Sequence, residues 1–148
     1  MKVNEVHILL AEDDRDDRLF FKNAFNGLKI DNRLSICENG TDLMDYLKGA
    51  EVVPDILFLD LNMPGKNGFE CLKEIRSTGR YSDMTVAIYT SLSLPAIQNE
   101  VLLAGANVFI KKPNDPDVLK KILLEVMYIN WQYMTDGLSK ENFMLSYQ

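Results

Sequence analysis

The chain is poor in the residues that most often carry chemistry: one histidine, two cysteines and one tryptophan in 148 residues. Cys37 and Cys71 stand alone, without a CxxC pair or metal-site spacing, so they read as small buried apolar side chains in a reducing cytoplasm. His7 lies early in an apolar run of strand length, which suits a structural role. Lone Asp and Ser residues offer no Ser-His-Asp arrangement, and a hydrolase triad is unsupported. No glycine-rich loop follows the first apolar run, which removes nucleotide-binding readings. Long hydrophobic stretches are missing too. None approaches the roughly 18 residues of a membrane span, and the polar start Met1 to Glu5 does not resemble a signal peptide. The net charge of −6 argues against a general nucleic-acid binder.

What is present is an ordinary globular composition, 47% hydrophobic and 26% charged, in a chain long enough for one domain with a real core. The stretch Ile56-Leu57-Phe58-Leu59-Asp60-Leu61-Asn62-Met63-Pro64-Gly65 organises it. Ile56 to Leu59 are apolar without alternation, as in a strand buried on both faces of a parallel sheet. The run ends at Asp60, and a loop with Pro64, Gly65 and Gly68 takes over. Strand ends are where ligands gather in open parallel sheets, so Asp60 is an acid placed at a strand mouth.

The pattern predicts strands at Val6–Ala11, Arg33–Cys37, Asp55–Asp60, Thr85–Thr90 and Asn107–Lys111. Helices are expected at about 16–28, with Leu19, Phe20, Ala24 and Phe25 facing inward, and from Thr41 as N-cap through Lys48. Others are expected at about 68–77, from a Ser93 cap with Pro95 to about Gly105, and from Pro116 to about Met134. Five strands alternating with five helices through short connections define a doubly wound α/β domain with a parallel sheet. Residues 1–134 are expected to form that domain and 135–148 a short tail, without a separate output domain.

The strand ends carry Glu12-Asp13-Asp14, Asp60, Thr90-Ser91 and Lys112-Pro113. Several carboxylates in one pocket repel unless a cation compensates, and a hard divalent ion such as Mg²⁺ prefers carboxylate, carbonyl and water oxygens. Metal, lysine and hydroxyl around one carboxylate are what phosphoryl transfer onto that carboxylate requires. Over roughly residues 5–133 the chain resembles the receiver domain of two-component response regulators. Glu12-Asp13, Asp60 in Leu-Asp-Leu-Asn-Met-Pro-Gly, Thr90-Ser91, Phe109 and Lys112-Pro113 carry the resemblance. Asp60 lies thirty positions before Thr90, and Thr90 twenty-two before Lys112.

That resemblance implies a flavodoxin-like sheet of order 2-1-3-4-5 and a phosphorelay role in the cytoplasm, without catalytic turnover. Asp60 would be the phosphoacceptor, and Glu12, Asp13, Asp60 and the backbone carbonyl of Asn62 would hold Mg²⁺. Lys112 would pair with the phosphoryl oxygens before a cis Pro113. Thr90 and Phe109 would be the switch, while Asn62 and Ser91 would tune phosphoryl lifetime. A sensor histidine kinase would be the donor. The single histidine lies in a strand, whereas a histidine phosphotransfer domain needs an exposed helical one. Lys111 duplicates Lys112, but neighbours along a strand point to opposite sides, and adjacency to Pro113 favours Lys112. Asp14, Asp16 and Asp17 read as acids favoured at a helix N-terminus.

On the last helix, Leu119, Ile122, Val126, Ile129 and Tyr133 form a stripe toward the sheet. A second stripe, Leu124, Met127, Tyr128 and Trp131, needs another cover: the tail residues Phe143, Met144, Leu145 and Tyr147, or a second copy in a homodimer. The extended acidic cluster, long helix and aromatic tail are similar to single-domain regulators associated with phytochrome-type kinases. Two alternatives stand beside this. A degenerate receiver would act only as a binding scaffold. An aspartate-nucleophile phosphatase would typically carry a second acid where this chain has Asn62.

Overall fold

Ile56–Leu59 (β3) is buried along its whole length, and the sheet is built outward from it. The computed structural model describes residues 6–29, 32–92, 94–136 and 145–147. Val6–Ala11 (β1) pairs in parallel with Asn32–Cys37 (β2) on one side and with β3 on the other, in a register that sets Ala11 beside Leu59. Thr85–Thr90 (β4) and Val108–Lys111 (β5) continue the sheet on the far side of β3. These five strands have the expected order 2-1-3-4-5. A sixth, Leu145–Tyr147 (β6), adds in parallel to β5, so the tail supplies an edge strand that three residues gave no pattern to reveal.

Helices cover both faces, and alternate strand residues feed two separate cores. Arg15–Asn26 (α1) and Pro116–Asp136 (α5) pack on Ile8, Leu10, Phe58, Tyr89 and Ile110. Gly40–Gly49 (α2), Gly68–Arg76 (α3) and Pro95–Leu103 (α4) cover Leu9, Leu57, Leu59, Ile88 and Phe109. Within the run Leu19-Phe20-Phe21 it is Phe21 that is fully buried, edge-on to Phe58 and Tyr89 at centroid distances of 5.1 and 5.5 Å. Leu19, expected inside, is 47% exposed. The cap of α2 is Asn39, not Thr41: its side chain accepts from the Asp42 N–H at 2.8 Å. Helix α3 starts with a full capping box, Asn67 and Glu70 exchanging bonds. At α4 the cap position is Leu94, without a side-chain bond, and Ser93 lies outside the described residues.

A 3₁₀ turn at Gly79–Tyr81, unforeseen from the sequence, leads into β4. Arg76 fastens it, donating to the carbonyls of Tyr81, Met84 and Gly105 and to Asn107 Oδ1. Asn107 is thereby a side-chain acceptor, bonded also by the Val86 N–H, and β5 begins one residue later than expected. On α5, Leu119, Ile122 and Val126 face the sheet as expected, but Met127, assigned to the outer stripe, is buried with them. Thr85 Oγ1 and Asn130 Oδ1 join β4 to α5 through a buried 2.7 Å bond.

At the amino end of β1, His7 is buried in a polar knot. Arg33 Nη2 donates to its Nδ1 at 3.0 Å, which assigns the proton to Nε2, facing Ser35 Oγ at 3.0 Å and the Tyr46 hydroxyl at 3.2 Å. Burial first, then the Arg33 charge, hold the imidazole below its ordinary value of 6.5, with Asp55 opposing. The folded state thus binds fewer protons than the unfolded chain just below pH 6.5. His7 contributes stability that is full above that pH and lost as pH falls through the lower folded value. We expect the gap in thermal midpoint between wild type and His7→Gln to narrow from pH 7.5 to 5.5. A gap independent of pH would remove the titration from this account.

Candidate functional site

The parallel register delivers one acidic segment to another. Because Ala11 and Leu59 are partners, the residues that follow them, Glu12 and Asp60, emerge side by side, and the Asp60 N–H donates to the Ala11 carbonyl at 3.1 Å. Carboxylate oxygens of Glu12, Asp13 and Asp60 all lie within 4.8 Å of one another. Glu12 is fully buried and Asp60 nearly so, while Asp13 is exposed at the rim. Arg18 braces the acidic turn from α1, its Nη1 donating to the carbonyls of Glu12 at 3.1 Å and Asp13 at 2.7 Å.

Lys112 enters from the end of β5, where its N–H donates to the Thr90 carbonyl at 2.8 Å. Its ammonium sits 2.7 Å from Glu12 Oε1, 2.7 Å from Asp17 Oδ2 and 3.4 Å from Asp60 Oδ2. The buried Tyr89 ring lies beneath it, 5.6 Å from centroid to nitrogen. Lys111 points to solvent. Burial works against the Lys112 charge, but the Asp17 bond, the close Glu12 carboxylate and the charge of Asp60 outweigh it, so the ammonium is held above its usual range. Glu12 is pushed up to about 8, chiefly by burial and also by the Asp60 charge, with Lys112 opposing. Glu12 Oε1 is close to the ammonium yet lacks an aligned hydrogen bond, so a buried acceptor meets charge without a well-directed proton.

The remaining predicted residues surround this centre. The Asn62 N–H donates to Asp60 Oδ1 at 3.3 Å, and the Asn62 side chain is exposed, as is Ser91. Thr90 is buried, with Oγ1 accepting from the Leu92 N–H at 3.3 Å. Phe109 is buried in the core under α2 to α4, on the opposite sheet face from Tyr89. The Lys112–Pro113 bond is trans, against expectation: among the described residues no peptide bond is cis. Trans is the favoured form even for prolyl bonds. Asp14 caps α1 by accepting from the Asp17 N–H at 2.9 Å. Asp17, read as a helix-end acid, does lie in the first turn of α1 and also reaches Lys112 across 95 positions. Neither that contact nor the Arg18 brace has a sequence signal.

Gly68 holds the floor of the loop. A Cβ there would lie 2.8 Å from Leu61 Cα and still closer to the Asp60 carbonyl oxygen. The absence of a side chain lets α3 begin directly against the backbone that carries Asp60. Gly65, with φ of +71°, makes the preceding turn.

Three carboxylates with a buried, imperfectly bonded oxygen form an all-oxygen donor set that fits a hard divalent cation. The protein is thus a doubly wound α/β domain with an acidic, lysine-bearing pocket at the carboxyl ends of its strands. It belongs to the response regulator receiver domain family, whose model matches residues 8–124. It is 35% identical over 120 residues to a chemotaxis protein CheY homolog of Campylobacter jejuni, covering 81% of this chain and 91% of the relative. CheY1 of Helicobacter pylori is 31% identical over 123 residues, 83% of this chain and 98% of that protein. Among solved structures, the phosphorylated cyanobacterial phytochrome response regulator RcpA superposes with a TM-score of 0.75 at 23% identity, covering 89% of this chain and 96% of its own. The Mn²⁺-bound response regulator Rcp1 gives 0.69 at 22%, covering 90% and 94%. Receiver domains are signalling proteins phosphorylated by sensor histidine kinases, with a divalent cation in an acidic pocket. Among the described residues no helix is long and apolar enough to cross a membrane.

Proposed function

We propose that this chain is a single-domain response regulator that takes a phosphoryl group from a sensor histidine kinase onto Asp60 and signals through protein contacts. The observation that carries this is Asp60, nearly buried, placed between two further acids and the Lys112 ammonium. A carboxylate oxygen of Asp60 attacks phosphorus in line as the bond to the donor nitrogen breaks, and that nitrogen keeps the electron pair and takes up a proton. Lys112 moves onto the phosphoryl oxygens, and the Thr90 hydroxyl, on the neighbouring strand end, supplies a donor. Glu12, Asp13, Asp60 and the Asn62 carbonyl would hold Mg²⁺, which when bound neutralises charge developing on the transferred group. Thr90 and Phe109 carry the change to the α4–β5–α5 side, and Asn62 and Ser91, exposed at the rim, set how fast water reaches the product.

Intact mass after incubation with acetyl phosphate tests this. We expect a single phosphoryl adduct that requires Mg²⁺ and is lost on chelation; an adduct indifferent to Mg²⁺ or mapped elsewhere would overturn the reading. Lys112→Ala should slow acquisition by about 10²-fold, on the scale of a single charge-stabilising donor, while Lys111→Ala stays near wild type. Equal effects would mean that the wrong lysine has been chosen.

The reading extends to self-association. Leu124, Tyr128 and Trp131 are 44, 53 and 42% exposed along α5, and Tyr147 reaches that helix to donate to Glu125 Oε2 at 2.7 Å. Phe143 and Met144 lie outside the described residues, as do the side chains of Tyr133 and Leu145. A homodimer through α5 and the tail would cover the patch. Sedimentation that finds only monomer at tens of micromolar, with and without beryllofluoride, would remove it.

A further inference from the structure

We propose that Asp17 is a positioning residue, the berth that holds the Lys112 ammonium at the pocket mouth and off Asp60, and so sets the balance between metal entry and phosphoryl capture. This rests on Asp60 being the acceptor. The ammonium is 0.7 Å closer to Asp17 than to Asp60, at 2.7 against 3.4 Å. A helix-end acid gains from the backbone dipole wherever its side chain points, so the dipole does not explain this contact. Nor is Asp17 occupied by capping, since Asp14 accepts the Asp17 N–H and fixes that turn. The neighbouring Asp16 is exposed, whereas Asp17 is half-buried against the pocket.

The three carboxylates around Lys112 divide by task. Glu12 and Asp60 belong to the donor set a cation would use, and Asp17 does not. When a cation draws on Glu12 and Asp60, Asp17 remains as the anionic partner that keeps the displaced ammonium nearby. Without it, the ammonium settles on the same oxygens the cation needs, and metal entry weakens. Once the metal is in place the effect reverses. A phosphoryl group on Asp60 must draw Lys112 away from Asp17, so removing Asp17 removes a competitor for the lysine.

The test uses the full chain as wild type, Asp17→Asn, Asp17→Glu and Asp16→Asn. Affinities for Mg²⁺ alone, then for beryllofluoride at saturating Mg²⁺, are measured by calorimetry in about 0.5 M salt, where charges several ångströms apart are largely screened. Asp17→Asn should bind Mg²⁺ ~5-fold more weakly and beryllofluoride ~5-fold more tightly, the net scale of one ordinary hydrogen bond. Asp16→Asn, with the same charge change on the same turn, should stay within ~2-fold on both, and Asp17→Glu should return toward wild type. If Asp17→Asn matches Asp16→Asn, or leaves both affinities unmoved, Asp17 is a surface charge and the proposal fails. A wild type that binds no beryllofluoride at saturating Mg²⁺ sinks the acceptor reading itself, and this proposal with it.

Discussion

Asp60→Asn should abolish the phosphoryl adduct and leave the fold intact or slightly more stable. The residue is 4% exposed and shares its pocket with Glu12 and Asp13, so in metal-free protein its charge is a repulsive one held away from water. The isosteric amide removes that repulsion. Lys112 loses its most distant acceptor, at 3.4 Å, and keeps Glu12 and Asp17 at 2.7 Å. A relief of about 1 kcal/mol would raise the metal-free melting temperature by ~2–4 °C in a chain of this size. Mg²⁺ should act oppositely. At a hundredfold excess over Kd a ligand adds about 2.7 kcal/mol, so wild type should gain ~5–10 °C and the variant little. Calorimetry with and without Mg²⁺, beside intact mass, reads both. A variant that is still phosphorylated, or still fully stabilised by Mg²⁺, would move the acceptor and the metal away from Asp60.

Gly68→Ala should be the most damaging single methyl in the chain near the site. Alanine is favoured over glycine in a helix by about 1 kcal/mol, and position 68 opens α3. Against that stands a Cβ forced onto the Asp60 carbonyl oxygen and within 2.8 Å of Leu61 Cα. Those are backbone atoms, so no rotamer change relieves the overlap, which puts the cost at the upper end of the usual overpacking range, about 3 kcal/mol. The clash wins by about 2 kcal/mol, and the relaxation available is a shift of the loop carrying Asp60. We expect a lower melting temperature together with weakened Mg²⁺ binding. Gly49→Ala, with nothing near its added Cβ, is the control for helix propensity alone. Full stability in Gly68→Ala would show that the loop yields freely.

Much of this architecture is written locally. The unbroken apolar runs of β3 and β4 gave their positions because strands buried on both faces need no alternation. The chemistry-bearing side chains were visible because they fall at strand ends in a fixed order, and the parallel register then brings Glu12, Asp13, Asp60 and Lys112 together. What escaped depends on contacts between distant segments. Phe21 rather than Leu19 is inside because Phe58 and Tyr89 meet it, and three consecutive apolar residues offer either face to a helix. Asn39 and Thr41 are both good caps, and only the backbone geometry chose Asn39. The role of Asp17 depended on where Lys112 would arrive. The strand β6 is three residues long, below the length at which periodicity can be read.

The bonds of Lys112 reach back 52 positions to Asp60 and 95 to Asp17. The pocket is therefore a late event in the life of the chain. During synthesis the acids of β1 and β3 emerge well before the lysine that balances them. Until β5 docks beside β4, a half-made domain lacks the Lys112 ammonium, and closing that long loop is slow compared with forming a helix. On the proposed reading, competence to accept a phosphoryl group would require that the sheet has closed from β1 to β5. A nascent chain, or one whose β5 has come loose, would then be excluded from signalling by the same distance in sequence that joins Lys112 to Asp60.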